Sequence, residues 1–162
     1  SIQHTLESNY FCDPLGGANY FGFLSQQPSN DLQTVLITAR MDSFSLFEYF
    51  TPGANEPVSS LIGLLSLVDM LSERRSDLDN RVNILFTLFD NEAFGYGGSS
   101  RFVRDLAENR FPTFDINRLL PNGTKQKEKF QLSGQNMTTL IELSQLGSIG
   151  LSNNDHLFIH KD

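Results

Sequence analysis

The run VNILFTLF, Val82 to Phe89, constrains the fold more than any other segment. It is almost continuously apolar, whereas a half-buried strand would alternate apolar with polar residues. A strand of this composition must be covered on both faces, as in a parallel sheet flanked by helices. TVLITA, Thr34 to Ala39, is a second short β-branched run and reads as another buried strand. Between them, Val58, Leu61, Ile62, Leu65, Val68 and Leu71 repeat at helical spacing. That spacing predicts a helix opened by Pro57 and closed near Arg74 and Arg75. A second helix is predicted from about Ser99 to Asn109, with Phe102, Val103 and Leu106 inward and Pro112 after its end. Thr138 to Leu146 and His156 to His160 read as further strands. The order strand–helix–strand–helix–strand implies βαβ units, a mainly parallel sheet and an α/β fold. The first thirty residues are mixed, with turns at Pro14, Gly16, Gly17 and Pro28. Residues 113–136 are polar and read as a loop insertion, with Lys125, Lys127 and Lys129 a solvated face.

The chain's 162 residues suffice for one core. Its net charge of −7 argues against nucleic acid and anionic lipid, which both need a basic patch. No apolar run approaches the ~18 residues that span a bilayer. The chain begins at Ser1 without a signal-like segment, as a mature or excised part of something longer would. Cys12 is the only cysteine, so either the compartment is reducing or a partner cysteine lies outside this chain. The sequons Asn122-Gly-Thr124 and Asn136-Met-Thr138 favour the second alternative, because they direct glycan addition in the secretory pathway.

In a parallel sheet, sites form in the loops at the carboxyl ends of strands. Here these are the loops after Ala39, Phe89 and Leu143. They hold Arg40-Met41-Asp42, Asp90-Asn91-Glu92-Ala93 and Ser144, and Pro52-Gly53-Ala54-Asn55-Glu56 precedes the first helix. Carboxylates gathered at strand ends serve metal binding or proton transfer.

This layout resembles the zinc-dependent aminopeptidases with two co-catalytic ions and implies their three-layer αβα fold, of which residues 1–162 would be part of one domain. That family carries His-x-Asp, Pro-Gly-Ala-Asx-Asp, Glu-Glu and Ile-Asn-Leu-Asp elements at the matching positions. In this chain the zinc histidine is matched by Arg40, a permanent cation that cannot ligate. Its orienting acid is kept as Asp42, and the bridging acid is matched by Glu56. The general base is kept as Glu92, while the adjacent ligand is Ala93 and the strand ligand is Ser144. The resemblance thus implies a vacated metal site with no catalytic residue, no metal and no cofactor. Asp42 is expected to pair with Arg40 there, and Glu56 to sit as an acid at a helix start.

CDPLGGANYFGFL from Cys12, ITARMDSFSLF from Ile37, TPGANEPVSS from Thr51 and FDNEAFGYGGSSRFVRDLAENRFP from Phe89 resemble the nicastrin family more closely, with an echo at IELSQLG from Ile141. That family has a Glu followed by Asp-Tyr-Ile-Gly-Ser. Here Glu92, Tyr96, Gly98 and Ser99 match, while Gly95 and Gly97 replace the Asp and Ile. The resemblance implies a non-catalytic lumenal or extracellular module of γ-secretase, anchored by one membrane span outside this chain. It implies presenilin and associated membrane subunits as partners, and type I membrane proteins as substrates recruited or gated by size. Glu92, Tyr96, Gly98 and Ser99 would face the substrate's amino terminus, Asn122 and Asn136 would carry glycans, and Cys12 would pair outside the chain.

Two other readings are weaker. An active metallopeptidase would need unusual ligands. A nucleotide site at Gly95-x-Gly97-x-x-Ser100 lacks the third glycine of the dinucleotide fingerprint. His156 and His160 are ~13 Å apart if they lie in a strand, too far to share an ion.

Overall fold

The computed structural model describes residues 16–44, 52–53, 55–93, 95–119, 123–144 and 146, with backbone only at 118 and 119. The elements are β1 (Tyr20–Phe23), β2 (Thr34–Arg40), α1 (Glu56–Glu73), α2 (Arg75–Leu78), β3 (Asn83–Phe89), α3 (Gly97–Ala107), β4 (Thr113–Leu119), β5 (Lys125–Gln131) and β6 (Met137–Leu143). Four strands form one sheet in the order β1-β3-β2-β6. β2 runs parallel to both β3 and β6, and β1 pairs antiparallel with β3 at an edge. The fold is mixed α/β with a mainly parallel sheet.

Both faces of the central strands are covered. On one face Leu36, Leu85 and Phe89 join Phe102 and Leu106 of α3 and Ile116 and Phe130 of the β4–β5 pair. On the other, Ile37, Ala39, Ile84 and Phe86 pack with Leu64 of α1. Successive residues of β3 therefore serve opposite layers, which is why VNILFTLF has no polar alternation. At the amino-terminal end of β3, the buried Asn83 amide donates to Ser29 O (2.8 Å), while its Oδ1 accepts from Ser29 N (3.1 Å).

Several sequence expectations are corrected. Residues 113–136 are not a loop throughout, because Thr113–Leu119 and Lys125–Gln131 form an antiparallel pair. Ile116 and Phe130 point into the core, and Lys125, Lys127 and Lys129 alternate outward. Packing of a few isolated apolar residues outweighs the poor strand propensity of lysine. In helix α1 only part of the periodic set faces the sheet: Val68 and Leu71 pack against the core, Val58, Ile62 and Leu65 are exposed, and Pro57, Ser60 and Leu64 are buried. α1 is apolar around most of its circumference, so periodicity did not fix which side faces the sheet. Val103 is exposed, since Phe102 and Leu106, four apart, occupy the buried stripe of α3. The expected strand at 156–160, with His156 and His160, lies outside the described residues, as do Cys12 and Asn122.

Candidate functional site

The parallel register aligns the carboxyl ends of three strands. Arg40 of β2 sits opposite Phe89 of β3, and Ala39 opposite Leu143 of β6. The loops after them therefore open on one end of the sheet, beside the start of α1.

Arg40 is the last residue of β2. Its guanidinium meets Oε2 of Glu56, the first residue of α1, at 2.6 Å. Ser144, just after β6, donates its hydroxyl to Oε1 of the same carboxylate at 3.3 Å. Three elements thus converge on Glu56. The pair is about a quarter to two-fifths exposed, which limits its contribution to roughly 1 kcal/mol or less.

The expected Arg40–Asp42 pair is not formed. Arg40 pairs with Glu56 instead, and Asp42 turns toward the loop after β3. There Asp42 accepts backbone N–H bonds from Glu92 (3.0 Å) and Ala93 (2.9 Å). Two adjacent amides without a strand partner hold a carboxylate well, because such charge-assisted bonds are the stronger kind.

Glu92 in turn caps α3. Its Oε1 accepts from Ser99 N at 2.7 Å and its Oε2 from the Ser99 hydroxyl at 2.9 Å. The N-cap residue Tyr96 supplies no side-chain cap, so Glu92 reaches in from outside the helix. A negative charge at a helix amino terminus also suits the macrodipole. Tyr96 itself takes a left-handed backbone (φ 61°), and its side chain is 68% exposed.

Gly98 is fixed by space. A Cβ there would run into the Asp90 carbonyl oxygen and lie 2.5 Å from Asn19 Oδ1. Asn19, not singled out from the sequence, bridges the same corner: Nδ2 donates to Gly98 O (2.8 Å) and Oδ1 accepts from Asp90 N (3.1 Å). Its only sequence signal is its place in the GGANY stretch.

Arg40, Asp42, Glu56, Glu92, Ala93, Ser99 and Ser144 therefore meet at one end of the sheet. Asn136 does not: it lies before β6, at the other end, with Nδ2 donating to Asn30 O at 2.5 Å.

The donor set does not fit the zinc pair of the aminopeptidases. A guanidinium holds the acid that would bridge, and both oxygens of the would-be base accept from Ser99. Among the described residues, no three His, Cys, Asp or Glu side chains come together in a way that could hold an ion.

The sequence model for the nicastrin large lobe matches residues 33–162. Human nicastrin is 34% identical over 121 residues, covering 69% of this chain and 17% of that protein. Arabidopsis thaliana nicastrin is 32% identical over 155 residues, covering 93% and 20%. The chain thus spans about a fifth of the length of these relatives. The crystal structure of the γ-secretase component nicastrin superimposes with a TM-score of 0.64 at 24% identity, over 88% of this chain and 25% of that one. The family-model match over residues 33–162, most of the chain, shows that the chain belongs to the nicastrin family.

Proposed function

We propose that this chain is part of a non-catalytic module that scaffolds γ-secretase and recruits its substrates on the lumenal or extracellular side. Presenilin and the associated membrane subunits are the proposed partners, and type I membrane proteins the proposed substrates. The similar crystal structure is that of a γ-secretase component, which supports the assembly.

The observation that carries the non-catalytic reading is the joint occupation of the two key acids. Glu56 is held by Arg40 and Ser144, and Glu92 by Ser99. These contacts engage the oxygens that a metal bridge or a general base would use, which supports the non-catalytic reading. What the corner offers a partner is a rigid rim. Exposed Tyr96 lies at the start of α3, the helix that Glu92 caps, and a substrate's amino-terminal ammonium suits carboxylates such as Glu92 and Asp42. Size selection of substrates, glycans on Asn122 and Asn136, and pairing of Cys12 outside the chain belong to the same proposal.

The test uses the full-length protein assembled with its membrane subunits, presented with type I substrates of short and long ectodomain. Tyr96→Ala should weaken capture of the short-ectodomain substrate without lowering assembly. Aminopeptidase turnover by the isolated full-length protein, abolished by Glu92→Gln and accompanied by bound zinc, would overturn the reading.

A further inference from the structure

Away from the strand ends of the main sheet, β5 pairs with β4 on one side, and its other edge borders no strand among the described residues. Asn30 holds one end of that edge. Its Nδ2 donates to Lys129 O at 3.0 Å, and its Oδ1 accepts from Gln131 N at 3.3 Å. One side-chain amide thus makes there the two bonds that a neighbouring strand would make. Backbone groups alternate in direction along a strand, so those of Lys125 and Lys127 point to the same edge as those of Lys129. No backbone group of the described residues bonds to them there.

The same residues carry charge. Lys125, Lys127 and Lys129, three of the chain's four lysines, are exposed on one face of β5. Alternate residues of a strand lie about 6.8 Å apart, so the three side chains leave the strand in a row. Asp115, opposite Lys129, is the one acid on this face of the β4–β5 pair, while Glu128 lies on the reverse face opposite Ile116. No carboxylate of the described residues forms an ion pair with any of the three lysines. The chain as a whole is acidic, at −7, but at physiological salt its field fades over about 8 Å. A ligand on this face therefore meets chiefly the lysines.

Lysines along an edge repel a second copy of the same strand and disfavour an apolar one. A strand with carboxylates at alternate positions turns that repulsion into cross-strand pairs. We propose that the free edge of β5 takes an extended acidic peptide as a third strand, with its alternate carboxylates beside Lys125, Lys127 and Lys129. Main-chain bonds to Lys125 and Lys127 hold the segment, and the lysines select its charge pattern.

The test is titration of the full-length protein at physiological salt with a capped heptapeptide of alternating threonine and glutamate. One control has the same composition with its glutamates contiguous. A second is N-methylated at the residues whose N–H groups would face β5. Both controls should bind about tenfold more weakly than the alternating peptide. Hydrogen exchange at Lys125 and Lys127 should slow when the alternating peptide binds. The triple variant Lys125→Gln, Lys127→Gln, Lys129→Gln, altered only at exposed side chains, should bind it about tenfold more weakly. Equal binding of the alternating and N-methylated peptides overturns the proposal, as does unchanged affinity in the triple variant or no binding by the wild type. A heparin-derived hexasaccharide that binds the wild type more tightly than the peptide, and fails to bind the triple variant, gives this face to a sulfated glycan and equally overturns it.

Discussion

Both carboxylate oxygens of Glu92 are taken by Ser99, one by its amide and one by its hydroxyl, at 2.7 and 2.9 Å. The glutamate that matches a general base thus serves as the cap of α3. Glu92→Ala should cost about 1–2 kcal/mol of stability, the usual range for losing a helix cap. Ser99→Ala removes the hydroxyl but leaves the amide bond, so it should cost about 0.5–1 kcal/mol. Urea unfolding of the single and double variants checks this: the double variant should be less destabilised than the sum, since the partners are shared.

Gly98 and Gly22 provide a contrast within one protein. A Cβ at Gly98 would run into the Asp90 backbone, whereas nothing lies within 4 Å of one at Gly22. Gly98→Ala should destabilise by about 2 kcal/mol or more, because backbone must shift. Gly22→Ala should be neutral or stabilise by up to about 1 kcal/mol. Thermal unfolding of both variants checks the difference.

Asn83 is fully buried and fixes the turn at Ser29 through both ends of its amide. Asn83→Ala should cost about 2–3 kcal/mol, since it leaves the Ser29 amide and carbonyl without these partners. Asn83→Asp keeps the acceptor but loses the donor and buries a charge, so it should be no better. Denaturant midpoints at neutral pH would read out both.

Tyr96 holds a left-handed backbone that glycine adopts without steric penalty. Its exposed ring adds little to the core. Tyr96→Gly should therefore change stability by less than about 1 kcal/mol, with relief of strain offset by the entropy of the unfolded chain. The same variant should capture substrate less well in the assembled complex. A stability loss of several kcal/mol would instead give Tyr96 a structural role.

The central architecture was legible because VNILFTLF and TVLITA could be buried only as inner strands. The loops that build the site followed from their carboxyl ends. Three features were not legible, each for a physical reason. β1 is a four-residue aromatic edge strand whose pattern is mostly exposed. β4 and β5 depend on single apolar residues, Ile116 and Phe130, set among charges, so only the finished core shows their worth. The partner of Arg40 is fixed by where α1 begins in space, and Glu56 is 16 positions on, while the nearer Asp42 finds two free amides instead. The resemblance marked the residues of the site but not which of them touch.

The most direct test of the central claim, that Arg40 takes the place of a metal at this corner, is zinc titration of the full-length protein by calorimetry, alongside Arg40→His. Neither protein should show a saturable site, because one imidazole added beside Ala93 and Ser144 still leaves too few ligands for tight binding. Stoichiometric zinc uptake by the wild type that disappears in Glu56→Ala would contradict it.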